Sequence, residues 1–220
     1  MLSAQDIIID KDIYTIDLHD EVKIAMRIIN SLQTRQLLVL NSGMYHGIVT
    51  EEQLLEYSLD KKIVDVVDIR RDLFATPNAN FLDVFYTMVK ERLSICPVVD
   101  NGTVLGIVLF TKLSDTIVEY MHLDSPGKLI VAEQLRVDYS MASICRIFES
   151  EGHKVLMAFA REVPETGNYL IAVKTNSHIE SSLLNTFERF GINIIANYSE
   201  DGFDTLWKDR YESFMTYLNV

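Results

Sequence analysis

The sequence predicts an α+β protein in which a duplicated unit is followed by a different module. Two observations carry this prediction. Residues 43–49 and 102–108 repeat one another at a constant spacing of 59 residues, and the same order of elements surrounds both. Beyond a turn-rich stretch at 122–128, a second order of strands and helices begins that the first half lacks. At 220 residues the chain is long enough for two compact domains.

Each copy of the repeat reads as an entry strand, a helix, a hairpin of two strands and a second helix. The hairpin turns are residues 41–43 and 100–102, whose Asn, Ser, Asp and Gly tolerate positive φ. The second helices are predicted to begin near Thr50 and Thr111, where a hydroxyl can cap exposed backbone donors. Apolar residues at helical spacing mark the first helices: Val22, Ala25, Met26 and Ile29 in one copy, and Phe81, Val84, Phe85 and Met88 in the other. The unit is therefore β-α-β-β-α, present twice, with Ile16 matched to Ala75 and Val39 to Val98.

Composition indicates a globular, acidic protein. Hydrophobic residues make up 48% of the chain, and the net charge is −12. Because this charge repels phosphate backbones and no basic patch offsets it, we expect no nucleic-acid partner. Residues 1–12 lack the make-up of a signal peptide, and no apolar run could span a bilayer. We therefore expect a cytoplasmic protein with no membrane partner.

No constellation typical of an enzyme stands out. The sequence has no nucleophile beside a base, no metal-ligand cluster and no phosphate-binding Gly-rich loop, and its five histidines are scattered. Cys96 and Cys145 lie in apolar stretches without a C-x-x-C motif, which predicts buried, reduced thiols. We therefore expect no catalytic residue, no metal and no required cofactor.

A twelve-residue motif carries a family resemblance. The second copy reads Pro97-Val98-Val99-Asp100-Asn101-Gly102-Thr103-Val104-Leu105-Gly106-Ile107-Val108. This resembles the CBS domain, whose units carry a PVVD segment, a turn Gly and a GIV segment. The resemblance implies a pseudo-symmetric CBS-domain pair over residues 1–123, with repeats at about 7–60 and 66–122. It also implies two clefts between the repeats that bind an adenine nucleotide or S-adenosylmethionine.

The resemblance assigns ligand contacts to a G-h-x-T/S-x-x-D/N pattern at the end of each repeat. Its hydroxyl contacts phosphate or sugar, and its carboxylate holds the ribose diol. The first repeat offers Gly47, Thr50 and Gln53, an amide that can still accept one diol bond and donate another. The second repeat has Leu109 and Lys112 at the two key positions, so it departs from the pattern. Lys112 is then either a phosphate partner or a solvated charge.

Further candidate ligand-binding residues complete this set. They are Val39, Pro97, Gly106, Arg70, Arg71 and Thr76. The Arg70-Arg71 pair either approaches the clefts or is a solvated loop pair. Thr76, with Pro77 after it, either contacts the nucleotide or forms an ordinary turn before a helix.

The second module has the order of a ferredoxin-like fold, β-α-β-β-α-β. Its predicted elements are strands at 129–135, 154–161, 168–174 and 192–198 and helices at 140–151 and 178–190. Together with Phe148-x-x-x-Gly152-x-x-Val155 and residues 190–194, this order resembles an ACT domain over residues 128–200. ACT domains that bind amino acids usually carry a Gly in the first strand-to-helix loop. That loop has none here, so we expect Asp138 or Ser140 to cap the helix instead.

The remaining residues, 201–220, are predicted to form an amphipathic C-terminal helix that packs on the protein or across a dimer. A CBS pair followed by an ACT-like domain resembles the acetoin-utilisation accessory protein family, which implies regulation without catalysis. We therefore expect a sensor of an adenosyl ligand that transmits a conformational change to the ACT-like domain or a protein partner, as a homodimer. The alternative is a ligand-free dimerisation or assembly module, and an unrecognised enzyme is a third hypothesis.

Overall fold

The structure is a computed structural model of the chain and describes residues 2–176, 183, 186–187 and 189–198. The chain divides into two compact units, Met1–Ile117 and Val118–Val220. No helix within the described residues is long and apolar enough to cross a membrane.

The first unit is built on a mixed five-stranded sheet with the order β1-β2-β3-β5-β4. Its strands are β1 (Thr15–Asp17), β2 (Gln36–Asn41), β3 (Met44–Thr50), β4 (Ile95–Asp100) and β5 (Thr103–Leu109). The helices are α1 (Val22–Leu32), α2 (Glu51–Leu55), α3 (Phe81–Lys90) and α4 (Phe110–Tyr120). The β-α-β-β-α order predicted for the first copy is therefore present.

The two hairpins are copies of one another in register. Val39 lies opposite Gly47 in β2–β3, and Val98 lies opposite Gly106 in β4–β5, with a register shift directly after each valine. Both turns use two consecutive residues with positive φ, 51° and 82° in the first hairpin and 47° and 82° in the second. Such turns match the twist of the flanking strands. The gapless 59-residue duplication is thus confirmed down to individual strand pairs.

The second copy differs from the prediction in its entry strand. In the first copy β1 pairs with β2 over three residues, and Leu18 N continues the ladder by donating to Leu40 O at 2.8 Å. In the second copy only Ala75 pairs, through an isolated parallel bridge to Val98. Pro77 occupies the place of Leu18, and a proline has no N–H to donate.

The start of α4 also differs from the prediction. The helix begins at Phe110, so Thr111 lies inside its first turn rather than at its cap. Leu109 holds the place that Thr50 holds in the first copy, and leucine has no hydroxyl that could accept from the helix donors.

Each repeat has its own core between its helices and one sheet face, and a further cluster joins the hairpins. Alternate strand residues divide between these cores, since side chains of a strand alternate between faces. Val39 packs with α1, Val98 packs with α3, and Leu38 packs with Ile107. Burying each such side chain stabilises the fold by roughly 1.5–3 kcal/mol.

The two cysteines differ in burial. Cys96 is buried as predicted, and this burial raises the pKa of its thiol to about 12. Cys145 is only half-buried, so the prediction of burial is wrong for it.

The second unit contains a four-stranded antiparallel sheet with the order β7-β8-β6-β9. Its described elements are β6 (Lys128–Gln134), α5 (Met141–Ser150), β7 (Val155–Glu162), β8 (Tyr169–Thr175) and β9 (Asn193–Tyr198). Ser140 caps α5 as expected, since its hydroxyl accepts from Ser143 N at 3.3 Å. Part of the helix predicted at 178–190 and all of the helix predicted at 201–220 lie outside the described residues.

Candidate functional site

A cavity of about 400 Å³ lies in the first unit, where β2 and β4 begin and β5 ends. We call it the arginine cleft. It is lined by residues 32–35 of the first repeat, residues 92–95 and 109–111 of the second, and Tyr14. Each repeat therefore contributes one wall.

Two residues with a left-handed backbone conformation shape this cleft. Gln33 ends α1 with φ of 50°, and Arg92 follows α3 with φ of 55° at the equivalent place in the second repeat. This conformation ends a helix and turns the chain toward the next strand. The residues that follow, Thr34 and Ser94 among them, are thereby brought to the same end of the sheet, with 3.3 Å between their hydroxyl oxygens.

A buried amide connects the two walls. Gln36 is 5% exposed. Its Nε2 donates to Arg92 O at 3.2 Å, and its Oε1 accepts from Ser94 N at 2.8 Å and from Ser94 Oγ at 3.1 Å. The Gln36 side chain of the first repeat thus forms hydrogen bonds with three polar groups of the second repeat.

The electrostatics of the cleft favour an anion. Arg35 and Arg92 line it and are exposed, and neither forms a salt bridge with any described residue. No Asp or Glu belongs to the lining among the residues the structure describes. The Thr111 hydroxyl can donate to a phosphate oxygen, and guanidinium groups bind phosphates through two parallel bonds.

Thr50 and Gln53 lie outside this cleft and bind one another. Thr50 N donates to Gln53 Oε1 at 2.9 Å, and Gln53 N donates to Thr50 Oγ1 at 3.2 Å. Gln53 Nε2 also donates to Asp68 O at 2.9 Å. This reciprocal arrangement is a capping box at the start of α2, and it occupies the groups assigned to a ligand by the resemblance.

Arg70 and Arg71 are paired with other side chains. The Arg70 guanidinium binds Asp72 through two bonds of 2.9 Å and reaches Glu91 at 3.4 Å. This hydrogen bonding raises the pKa of Arg70 and lowers that of Asp72. Arg71 Nη2 lies 3.2 Å from His46 Nε2, and burial together with the Arg71 charge lowers the pKa of His46.

Gly47 and Gly106, the two glycines among the predicted ligand-binding residues, lie close to backbone atoms of other segments. A Cβ on Gly47 would lie 2.9 Å from Arg70 O, and one on Gly106 would lie 2.7 Å from Ile9 O. No side chain fits at either place without a shift of the chain.

The other candidates are spread over the unit. Val39 and Pro97 are buried in the sheet. Thr76 lines a different and larger cavity. Lys112 is exposed in the first turn of α4, directly after Thr111 of the arginine cleft. The ten candidates are thus not brought together in one site.

Sequence reasoning missed Thr34, Arg35, Arg92 and Ser94. A signal for them was present, because both repeats place polar or basic residues directly between the first helix and the middle strand. The ligand pattern points to the end of each hairpin instead, and of those two segments only residues 109–111 of the second repeat line the cleft.

Comparisons with known proteins agree with the duplication. The model of the family described as the CBS domain matches residues 4–60 and 64–119. An uncharacterized protein of Methanocaldococcus jannaschii is 26% identical over 121 residues, which cover 54% of this chain and 44% of that protein. The chain therefore spans less than half the length of that curated relative.

Solved structures show similarity over about half of the chain. A CBS domain pair/ACT domain protein from Thermotoga maritima is 20% identical, with a TM-score of 0.49, over 54% of this chain and 98% of that one. The structure of CBSX2 in complex with AMP is 16% identical, with a TM-score of 0.47, over 54% of this chain and 98% of that one.

Proposed function

This chain belongs to the CBS domain family, and from that premise we propose that it is a non-catalytic regulatory protein whose arginine cleft binds an adenosine nucleotide through its phosphates. One observation carries the proposal. Two arginines, one from each repeat, line a cleft without acidic residues among those described, in a chain of net charge −12.

The chemistry of the cleft supports a phosphorylated ligand. Its volume of about 400 Å³ falls within the range of small-molecule sites, roughly 300–1,000 Å³. Arg35 and Arg92 supply positive charge, while Leu93 and Leu109 offer apolar surface to a base. S-adenosylmethionine has no phosphate, and its sulfonium and ammonium groups outweigh its single carboxylate, so its net positive charge matches two arginines less well than a phosphate does. We therefore infer a preference for AMP, ADP or ATP over S-adenosylmethionine.

The position of the arginines supports a sensing role. A phosphate group held by both would fix the spacing of the repeats beside Gln36, which already joins them. A ligand changes a conformation only if it binds two states with different affinity. The receiver we propose is the second unit, an ACT-like domain, or a protein partner. The β7-β8-β6-β9 order supports this identity because it places the first and third strands of a β-α-β-β-α-β unit at the centre.

Calorimetric titration with AMP, ADP, ATP and S-adenosylmethionine tests the proposal. We expect binding of at least one phosphorylated nucleotide. Arg35→Ala and Arg92→Ala should each weaken it about ten- to a hundredfold, because each removes a charge-assisted hydrogen bond. Thr50→Val is the matched control and should leave the affinity unchanged. The absence of heat and of any thermal shift at millimolar nucleotide would contradict the proposal.

A second candidate function, ligand-free assembly as a homodimer, is favoured by an apolar stripe on α3. Leu82, Tyr86 and Val89 share one helix face and are 57%, 66% and 52% exposed. If the chain is an assembly module, light scattering should show a dimer, and no nucleotide should change the unfolding temperature.

A further inference from the structure

A larger cavity, of about 780 Å³, lies in the first unit at the end of the sheet where both hairpins turn. We call it the turn cavity. Met44 pairs with Thr103 there, and Tyr45 N donates to Gly102 O at 2.9 Å, so both hairpins take part. Its lining includes Tyr45, Phe74, Thr76, Asn78, Asp100 and Asn101, none of which lines the arginine cleft.

Two aromatic rings meet in the turn cavity. The centroids of Tyr45 and Phe74 are 5.6 Å apart, with 65° between the ring planes. The Tyr45 hydroxyl donates to Leu73 O at 2.7 Å and stays protonated, since burial raises its pKa. This bond fixes the tyrosine ring. Phe74 leaves 42% of its surface exposed, which is costly for a phenyl ring unless something covers it.

The chain around Phe74 is held in place. Ala75 N donates to Pro97 O at 2.8 Å, and Val99 N donates to Ala75 O at 2.9 Å. Leu73 and Ala75 are buried, while Phe74 and Thr76 between and after them are exposed. Alternation along an extended segment thus places Phe74 and Thr76 on one side. The exposed ring is therefore part of an ordered surface.

The duplication indicates that Phe74 and Asp100 are not required by the fold. At the spacing of 59 residues, Phe74 matches Thr15, and Asp100 matches Asn41. Tyr45 matches Val104, and both pack in the core between the hairpins. In the first repeat the entry strand forms with Thr15 at the place of Phe74, and the hairpin forms with Asn41 at the place of Asp100. Phe74 and Asp100 occur in the second repeat only, which fits a binding role.

The polar groups of the turn cavity favour a positively charged ligand. Of the lining residues in the described part of the chain, Asp100 alone is charged. Gln5, Asn78 and Asn101 add amides, whose oxygens accept from N–H groups, and Thr76 adds a hydroxyl. No cation is available there to bind a phosphate or a carboxylate, whereas a protein of net charge −12 attracts cations.

We propose that the turn cavity binds an aromatic amine, that is, a small organic cation with a flat ring. The ring packs against Phe74, and the ammonium group is held by the Asp100 carboxylate and the neighbouring side-chain oxygens. Aromatic contacts and a cation near a ring face both add to such binding. The site is separate from the arginine cleft and does not depend on nucleotide binding.

Calorimetric titration of the full chain with tryptamine tests this proposal. We expect saturable binding, and no binding of indole-3-propionate, which joins the same ring to a carboxylate. Phe74→Thr and Asp100→Asn each install the residue of the first repeat, and each should weaken tryptamine binding about tenfold. Both side chains are exposed, so circular dichroism and the unfolding temperature should stay those of the parent protein.

The proposal is overturned by no binding of tryptamine at millimolar concentration, by equal binding of indole-3-propionate, or by unchanged affinity in both variants. Arg35→Ala separates the two sites, because it should lower nucleotide affinity and leave tryptamine affinity unchanged. Phe74→Thr should lower tryptamine affinity and leave nucleotide affinity unchanged. Competition between ATP and tryptamine would place the amine in the arginine cleft and would contradict a separate site.

Discussion

At the scale of single residues, one sequence pattern fits two different roles. Thr50-x-x-Gln53 matches the spacing of a ligand motif and also that of a capping box, and in the structure the two side chains cap α2. The sequence alone does not separate these roles, because both require a hydroxyl followed three residues later by an amide or acid. Gln36 has a role that no sequence pattern indicated, because nothing near this first residue of β2 points to its partners 56 and 58 positions away.

Gln36→Ala should lower the free energy of unfolding by about 1–3 kcal/mol, because Ser94 N and Arg92 O lose their partner. Ser94→Ala is the matched control. It removes only the hydroxyl that binds Gln36, so a loss of about 1 kcal/mol is expected. Urea titrations of both variants measure the difference. Equal losses would show that the amide does not join the repeats.

At the scale of secondary-structure elements, the repeat predicted most of the first unit. The hairpins follow because residues with positive φ define their turns and because apolar alternation sets their register. The entry strand of the second copy did not follow, since Pro77 lacks the donor that Leu18 provides. In the second unit, the pattern predicted the strands and α5 within a few residues.

Gly47 tests how closely β3 contacts the chain that follows it. Gly47→Asn should destabilise the protein by about 2 kcal/mol or more, because φ is 154° and a Cβ would lie 2.6 Å from Ile69 Cγ2. Gly43→Asn is the control. Its φ of 82° lies in the left-handed region that asparagine tolerates, and nothing lies within 4 Å of the added atom, so little change is expected. Thermal unfolding compares the two, and similar melting temperatures would contradict the close contact.

At the scale of the whole molecule, the sequence predicted two modules and the family of the first, but not the arginine cleft. Repeats and turn signals are local features, so they can be read along the chain. Arg35, Arg92 and Thr111 are far apart in sequence, and only the association of the two repeats brings them to one cavity. A pattern search within one repeat cannot find a site that needs both.

Hydrogen exchange followed by mass spectrometry, with and without ATP, tests the central claim most directly, because it locates the ligand on the full chain. A nucleotide in the arginine cleft should slow exchange in peptides covering residues 33–36, 92–95 and 109–112 while leaving residues 50–54 unchanged. Unchanged exchange throughout, or protection confined to the segment around Thr50 and Gln53, would contradict the account.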